Sequence, residues 1–387
     1  MTRVHLHVGA PKTGTTYLQG VLWRNRSSLR DNGILYPAYN SEAHLHAAMD
    51  LQAGQLAPEQ NVSVPGTWQR LVAEARDWRG TTVISHESFS TATRAEIDGA
   101  LSDLSFADVH LVYTVRDLGR QIPAVWQEDV KNRHTLGFEE FLADIADRPP
   151  EAHWLVELFW RFQDTLEVLR RWGGSLPPER VHVVTVPPKG SPPGLLWERF
   201  ARVLGADPAT YDCEIGVANR SLGWAETELL RRVNLAVESA EAGVDRDGYA
   251  RAVRDVLVDQ VLAGRRDTVP LLLPAHHHDW VTERALGLIK GIQAAGYQVT
   301  GELDDLLPRL PADPPRQPDT AEQLDAAVEA MGSLVRQLAQ PRPARSVAQF
   351  RQALRDLSYR NDAVMLLRRW YWNAKVRLPA RGKPGGR

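Results

Sequence analysis

Lys12 stands inside the run VHLHVGAPKTGTTYLQ (Val4 to Gln19), between Gly9 and Gly14 and just ahead of the paired hydroxyls of Thr15 and Thr16. An alternating apolar stretch, a glycine-containing loop and a helical pattern follow one another here. That arrangement lets backbone N–H groups and a helix N-terminus hold a phosphate, with lysine adding a point charge. The usual nucleoside-triphosphatase loop carries its lysine directly after the last glycine. Thr15 stands there instead, and the lysine has moved into the loop. Such enzymes also hold Mg²⁺ with an acid ending a second apolar strand. The acids so placed are Glu87, after TTVISH, and Asp117, after VHLVYTVR and so preceded by Arg116. A magnesium-dependent kinase or triphosphatase is thereby weakened, but it stays an alternative, as does a non-catalytic nucleotide-binding module.

The run Pro11-Lys12-Thr13-Gly14-Thr15-Thr16-Tyr17 resembles the 5'-phosphosulfate loop of bacterial, actinobacterial-type sulfotransferases that use 3'-phosphoadenosine 5'-phosphosulfate (PAPS). The resemblance spans roughly residues 1–310 and closes on GYQVTGELDDLLP (Gly296 to Pro308). It implies that Lys12 contacts the 5'-phosphate and bridging oxygen, that Thr15 and Thr16 hold phosphate oxygens, and that Tyr17 packs near the adenine. A later strand-end arginine, here Arg116, would bind the 3'-phosphate with a serine about eight residues on. Ala124 occupies that place, so another hydroxyl or cation must substitute. The loop Asn219-Arg220-Ser221 supplies candidates, and Asn219 or Ser221 would serve equally well as a cap for the helical pattern WAETELLRRV.

The same resemblance implies sulfuryl transfer from PAPS to an acceptor hydroxyl, releasing adenosine 3',5'-bisphosphate, with no metal. An attacking hydroxyl must lose its proton, so a base is needed. The family places a His or Glu near the end of the strand between loop and arginine, which points to Glu87 with His86 as runner-up. Side chains alternate along a strand, so only one of the two faces the donor. Other conspicuous residues carry less. AHHHDW (Ala275 to Trp280) reads as loop surface. His44 and His46 fall on different helix faces, and HWLVELFWRFQDTL reads as core or as an acceptor-pocket wall.

The elements that must position these residues follow from periodicity. VHLHVGA, TTVISHES, VHLVYTVRD and RVHVVTVPP read as strands, separated by helical patterns such as YLQGVLWRNRSSLRDNG and WVTERALGLIKGIQAAG. The alternation predicts a three-layer α/β/α domain with a central parallel sheet, and the resemblance adds a P-loop NTPase-like first turn. Five prolines in Leu307 to Asp319 break any regular element. This divides the chain into a sulfotransferase domain at 1–310, a Pro-rich linker with a helix at 311–345 and a basic helical extension at 346–387.

With 387 residues and a formal net charge of -2, the chain has no global pull toward nucleic acid. Its single cysteine, Cys213, excludes an internal disulfide, and the start shows no signal-peptide pattern, so a cytoplasmic location is expected. Charge is segregated: from Pro341 on, twelve Lys/Arg face two Asp/Glu. Within that tail DAVMLLRRWYWNAKVRL interleaves aromatics with cations, a pattern suited to an anionic membrane surface. The partners expected are a small-molecule, glycan or lipid acceptor and a peripheral contact with the inner membrane face.

Overall fold

The computed structural model describes residues 2–52, 65–149, 151–215, 221–239, 243–266, 268–309, 311 and 316–339. Asn219, Arg220 and the basic tail lie outside them. Contacts divide the chain into one unit of Met1–Gln55 with Ser63–Val335 and another of Leu56–Val62 with Arg336–Arg387; the architecture below belongs to the first.

Six parallel strands form one sheet: β1 (Arg3–His7), β2 (Ile34–Leu35), β3 (Thr81–Ser85), β4 (Asp108–Val115), β5 (Val181–Thr185) and β6 (Gln298–Thr300), in the order β2-β3-β1-β4-β5-β6. The four expected strands are all present. The two edge strands have only two and three residues, too few for a periodic signal. The chain builds β2 and β3 on one side of β1 and then crosses to β4, β5 and β6 on the other. The strand order therefore switches direction at β1, where open parallel sheets bind ligands beyond the carboxyl ends of their strands.

The two faces of the sheet differ. Val4, Leu6, Leu111, Tyr113, Val181 and Val183 pack on helices Thr67–Arg76, Arg94–Asp103 and Thr165–Gly173 through residues such as Leu71, Ile97 and Trp172. On the opposite face Val112 and Val184 meet helix α1 (Thr15–Arg24) and helix Leu195–Leu204 through Leu18, Leu22 and Phe200. That gives the three layers. A third apolar cluster joins helices Leu118–Lys131, Phe138–Asp147, Trp154–Gln163 and Trp224–Glu238 into a helical lobe. Helix Thr320–Ala339, within the expected linker, buries Ala330 in that same cluster.

The helical pattern after the loop is interrupted. It breaks at Asn25, whose amide donates to Val21 O at 2.9 Å and Asp212 O at 2.7 Å, and resumes as Arg26–Asp31. Asparagine competes for backbone partners in this way, which is why it sits poorly inside helices. Among the described residues no helix is long and apolar enough to cross a membrane.

Candidate functional site

The three strand ends at the switch point carry Gly9 to Gly14 after β1, His86 and Glu87 after β3, and Arg116 after β4. The glycine loop stays tied to β4, with Ala10 N donating to Thr114 O at 3.0 Å and Thr114 N to Gly9 O at 2.7 Å. Beneath it lies a polar floor. The His7 ring bonds Ser85 Oγ at 2.8 Å and Thr114 Oγ1 at 3.2 Å, and Thr114 Oγ1 donates to Gly9 O at 2.8 Å. Thr13, fully buried, turns its hydroxyl down to Thr114 and Ala10 O. It therefore shapes the loop from below. Gln121 and Gln163 hold Pro11 O from the side.

Besides Gly9 at φ 143°, Lys12 at φ 64° and Gly14 at φ 87° take left-handed backbone conformations in the loop. For lysine this costs about 1–2 kcal/mol. The turn puts Gly14 ahead of α1 as its N-cap, and a glycine has no side chain to satisfy the first-turn N–H groups, which leaves them for an anion. A Cβ on Gly14 would press on the Leu196 side chain of helix Leu195–Leu204 and be strained at this positive φ, so glycine suits the helix start. Thr15 is buried and Thr16 exposed in the first turn, while Tyr17 is half-buried with the cluster around Ile215 and Cys213.

Lys12 Nζ pairs with Glu128 Oε2 at 3.0 Å, across from helix Leu118–Lys131. Burial alone would raise the Glu128 carboxyl, but Lys12 beside it brings it below its ordinary value. Asp129 next door is pushed up to about 7 by burial and by the Glu128 charge. Among the described residues no carboxylate forms an ion pair with Arg116 in this way. Its Nη1 donates to Lys12 O at 3.1 Å, its Nε is buried without a partner, and the adjacent Asp117 is engaged by Arg120. Burial, then the Arg120 charge, lowers the guanidinium to about 10, still fully cationic at neutral pH. A half-buried cation with an unfilled N–H beside a helix N-terminus is chemically suited to hold an anion.

Glu87 begins the short turn Glu87–Thr91, whose first cap is His86. The turn is clamped at every carbonyl from Ser88 to Ala92. Gln52 donates to Ser88 O, Trp172 Nε1 to Phe89 O, Arg171 to Ser90 O and Ala92 O, and Arg161 to Thr91 O. Gln19 of α1 donates to Glu87 Oε2 at 2.9 Å. Burial would raise this carboxyl, yet His86, a backbone N–H, Gln19 and His7 outweigh it and hold it ionised. His86 is different: burial lowers its pKa against the opposing pull of the Glu87 charge, and in its neutral form its Nδ1 accepts Ser88 N–H at 3.1 Å. The proton therefore sits on Nε2, and that nitrogen can donate but has no lone pair for a base. His44 reaches the same strand end, accepting Ser85 N at 3.2 Å and stacking on Tyr36 at 4.2 Å.

Ser221 is exposed, and the cap of helix Trp224–Glu238 is Gly223, so Ser221 does not serve as that cap. Its neighbour Leu222 is bound in both directions by Gln127, at 3.0 and 2.8 Å. Gln127 lies one turn beyond Ala124 on the helix that also bears Glu128, which ties the Ser221 segment to the position lacking a serine. Helix Trp154–Gln163 has one face in the core and another on a cavity. Phe159 is core, while Trp154, Trp160, Arg161 and Arg171 line a cavity of about 490 Å³ beside the clamp of the Glu87 turn. His276 is exposed with Nε2 3.2 Å from Glu139 Oε2.

Sequence reasoning missed the floor (His7, Ser85, Thr114), the glutamine brackets (Gln19, Gln121, Gln163) and the counter-charge Glu128. Only His7 had a visible signal, as one of two histidines on alternate positions of β1.

No family model and no curated protein matches the chain. Among solved structures, a sulfotransferase from Alicyclobacillus acidocaldarius is similar at 16% identity, over 60% of this chain and 92% of that one, with a TM-score of 0.40.

Proposed function

We propose that the protein is a sulfotransferase that moves a sulfuryl group from PAPS to an acceptor hydroxyl. The observation carrying this reading is Arg116: a half-buried cation with a buried, unfilled N–H, bonded through Lys12 O to a loop whose lysine and helix start face the same strand ends. Two separate cationic positions, Lys12 and Arg116, fit a donor with phosphates at both the 5' and the 3' positions of one nucleoside. The motif PKTGTTY supports the same donor. The kinase alternative needs a strand-end acid free for Mg²⁺, and here Asp117 is committed to Arg120 and the helix cap while Glu87 is bracketed by Gln19.

In this reading the donor supplies an activated sulfuryl group. Lys12, leaving Glu128, steadies the charge that grows on the 5'-phosphate as the sulfur–oxygen bond breaks. The α1 amides and Thr16 hold the phosphate oxygens, and Arg116 anchors the 3'-phosphate with Ser221 or the Asn219-Arg220 segment in place of the missing serine. Glu87 takes the acceptor proton as its oxygen bonds to sulfur, the clamped turn holding the carboxylate in place.

Calorimetry tests the donor class: adenosine 3',5'-bisphosphate should bind, and more tightly than ATP with Mg²⁺. The reverse order would replace this function by a kinase or triphosphatase. For the acceptor, the basic aromatic tail points to a lipid or lipid-linked hydroxyl. Sedimentation with anionic vesicles that persists after deletion beyond Arg345 would end that part of the reading.

A further inference from the structure

Away from the anion loop, on the same polar face, three neighbouring strands each present a histidine. In the parallel register His5 of β1 lies opposite His110 of β4, and His182 of β5 lies opposite Val112, two residues along β4 from His110. The rings gather closely: centroids are 5.2 Å apart for His5 and His110, 5.1 Å for His110 and His182, and 6.1 Å for His5 and His182. One ligating atom from each lies within 4.8 Å of the other two.

Two further observations distinguish this cluster from histidines that merely satisfy one another. First, the only hydrogen bond within the trio joins His110 Nδ1 to His182 Nε2 at 2.8 Å, and His5, 1% exposed, is left with its Nδ1 buried and unpartnered. An unpaired buried polar nitrogen costs about 1–3 kcal/mol unless something fills it. Second, the outer nitrogen of His110, Nε2, meets Asp108 Oδ2 at 3.1 Å. That carboxylate is held in place by Arg3 Nε at 3.3 Å and Arg180 Nε at 3.0 Å. It fixes the His110 proton on Nε2 and turns the Nδ1 lone pair inward, the carboxylate–histidine arrangement that orients metal ligands.

We propose that His5, His110 and His182 form a binding site for a divalent transition metal of the Zn²⁺ or Co²⁺ type, oriented by Asp108. Three imidazoles suit such borderline ions rather than Mg²⁺ or Ca²⁺, which take oxygen ligands. Zinc–nitrogen bonds of about 2.0–2.1 Å put neighbouring ligand nitrogens a little over 3 Å apart, so small side-chain rotations, with the His182 proton moving from Nε2 to Nδ1, complete the site. His110 and His182 are only partly buried, which leaves a path for the ion and room for a water as fourth ligand. The bound ion would cross-link β1, β4 and β5 ahead of their carboxyl ends. It holds the frame and takes no part in group transfer.

The test is direct metal binding by the full chain, freed of metal by chelation and carrying His276→Ala and His277→Ala so that the exposed group with Glu139 cannot contribute. Titrated with Co²⁺, this protein should develop ligand-field absorption saturating at one equivalent, be displaced by Zn²⁺ and melt at higher temperature with metal than without. His110→Gln and His182→Gln should abolish the one-equivalent endpoint, and Asp108→Asn should weaken affinity about 10- to 100-fold. Absence of saturable uptake at micromolar Co²⁺, or uptake unchanged in folded His110→Gln protein, would overturn the proposal. Should the histidine variants fail to fold, Asp108→Asn with unaltered affinity would overturn it as well.

Discussion

On the polar face of β1, His7 and His5 are two residues apart, and their surroundings differ at every point that matters. His7 has both ring nitrogens bonded, to Ser85 and Thr114, and supports a loop rich in N–H donors and cations. His5 has a nitrogen with no partner and sits beside His110, whose other side is held by the carboxylate of Asp108. Near the carboxyl end of the strand, hydroxyls close the network, and a closed polar floor beneath the proposed anion site results. Farther back, a carboxylate orients His110, whose Nδ1 accepts a hydrogen bond from His182, and a buried nitrogen of His5 is left unpartnered beside them. The same residue type on the same strand face is thus a structural strut in one place and a ligand in the other, and the neighbours decide which.

The sharpest way to break the upper half of this comparison is at Glu87. Glu87→Gln should lower turnover by about 10²-fold or more, the size of a lost general base, while adenosine 3',5'-bisphosphate binds nearly as before. His86→Ala should lose less, because its free nitrogen already carries a proton; a larger loss in steady-state rates would move the base to His86.

Next come the cations. Arg116→Ala should weaken the bisphosphate about 10- to 100-fold, the range for a charge-assisted hydrogen bond, and Lys12→Ala should reduce both affinity and turnover. Titration calorimetry that finds neither variant impaired would leave the upper end without an anion site.

Stability separates the two histidines. His7→Leu orphans the buried Ser85 hydroxyl and removes one bond to that of Thr114, and should cost about 1–3 kcal/mol in urea unfolding. In chelator His5→Leu should be neutral or stabilising, since it removes an unpartnered nitrogen. Equal losses would mean that the two positions do the same work.

Asp129 gives the comparison a pH axis. Its carboxyl, raised from 3.8 to about 7 by burial and by Glu128, makes the folded state bind a proton that the unfolded state has lost. Stability from this group is full below about pH 4 and falls as pH rises toward 7. The gain in melting temperature of Asp129→Asn over the parent should therefore grow between pH 5 and 7 and level off above. A gain that does not vary with pH would place the Asp129 carboxyl at its ordinary value.

The smallest effect is expected at Ala124. Ala124→Ser should tighten the bisphosphate by about 0.5–1.5 kcal/mol, one added hydrogen bond. No change in calorimetry would indicate that the Ser221 segment, bound to the same helix through Gln127, already fills that place.

Much of this was legible in the residues themselves. Four strands, the helical patterns between them, and the loop with Lys12, Gly14 and Thr15 follow from period, glycine placement and composition, because those properties are local. Glu87 and Arg116 could be placed at strand ends for the same reason. Sequence could not choose between Glu87 and His86, since that depends on Ser88 N–H claiming the His86 nitrogen and Gln19 crossing from α1 to the carboxylate. Nor could it show that Asp117 was spoken for while Arg116 was not.

The histidine cluster marks the boundary most clearly. Val-His opens the apolar part of β1, β4 and β5 alike, as Val4-His5, Val109-His110 and Val181-His182. Alternation predicts that each histidine leaves the aliphatic face of its strand. Only the order β1-β4-β5 and the register of their hydrogen bonds bring three residues, separated by as much as 177 positions in the chain, to one spot. Sequence determined which side chains were available to each face, because side-chain direction is a property of the local backbone. Tertiary structure decided which of them meet, because strand pairing joins segments that carry no local record of one another.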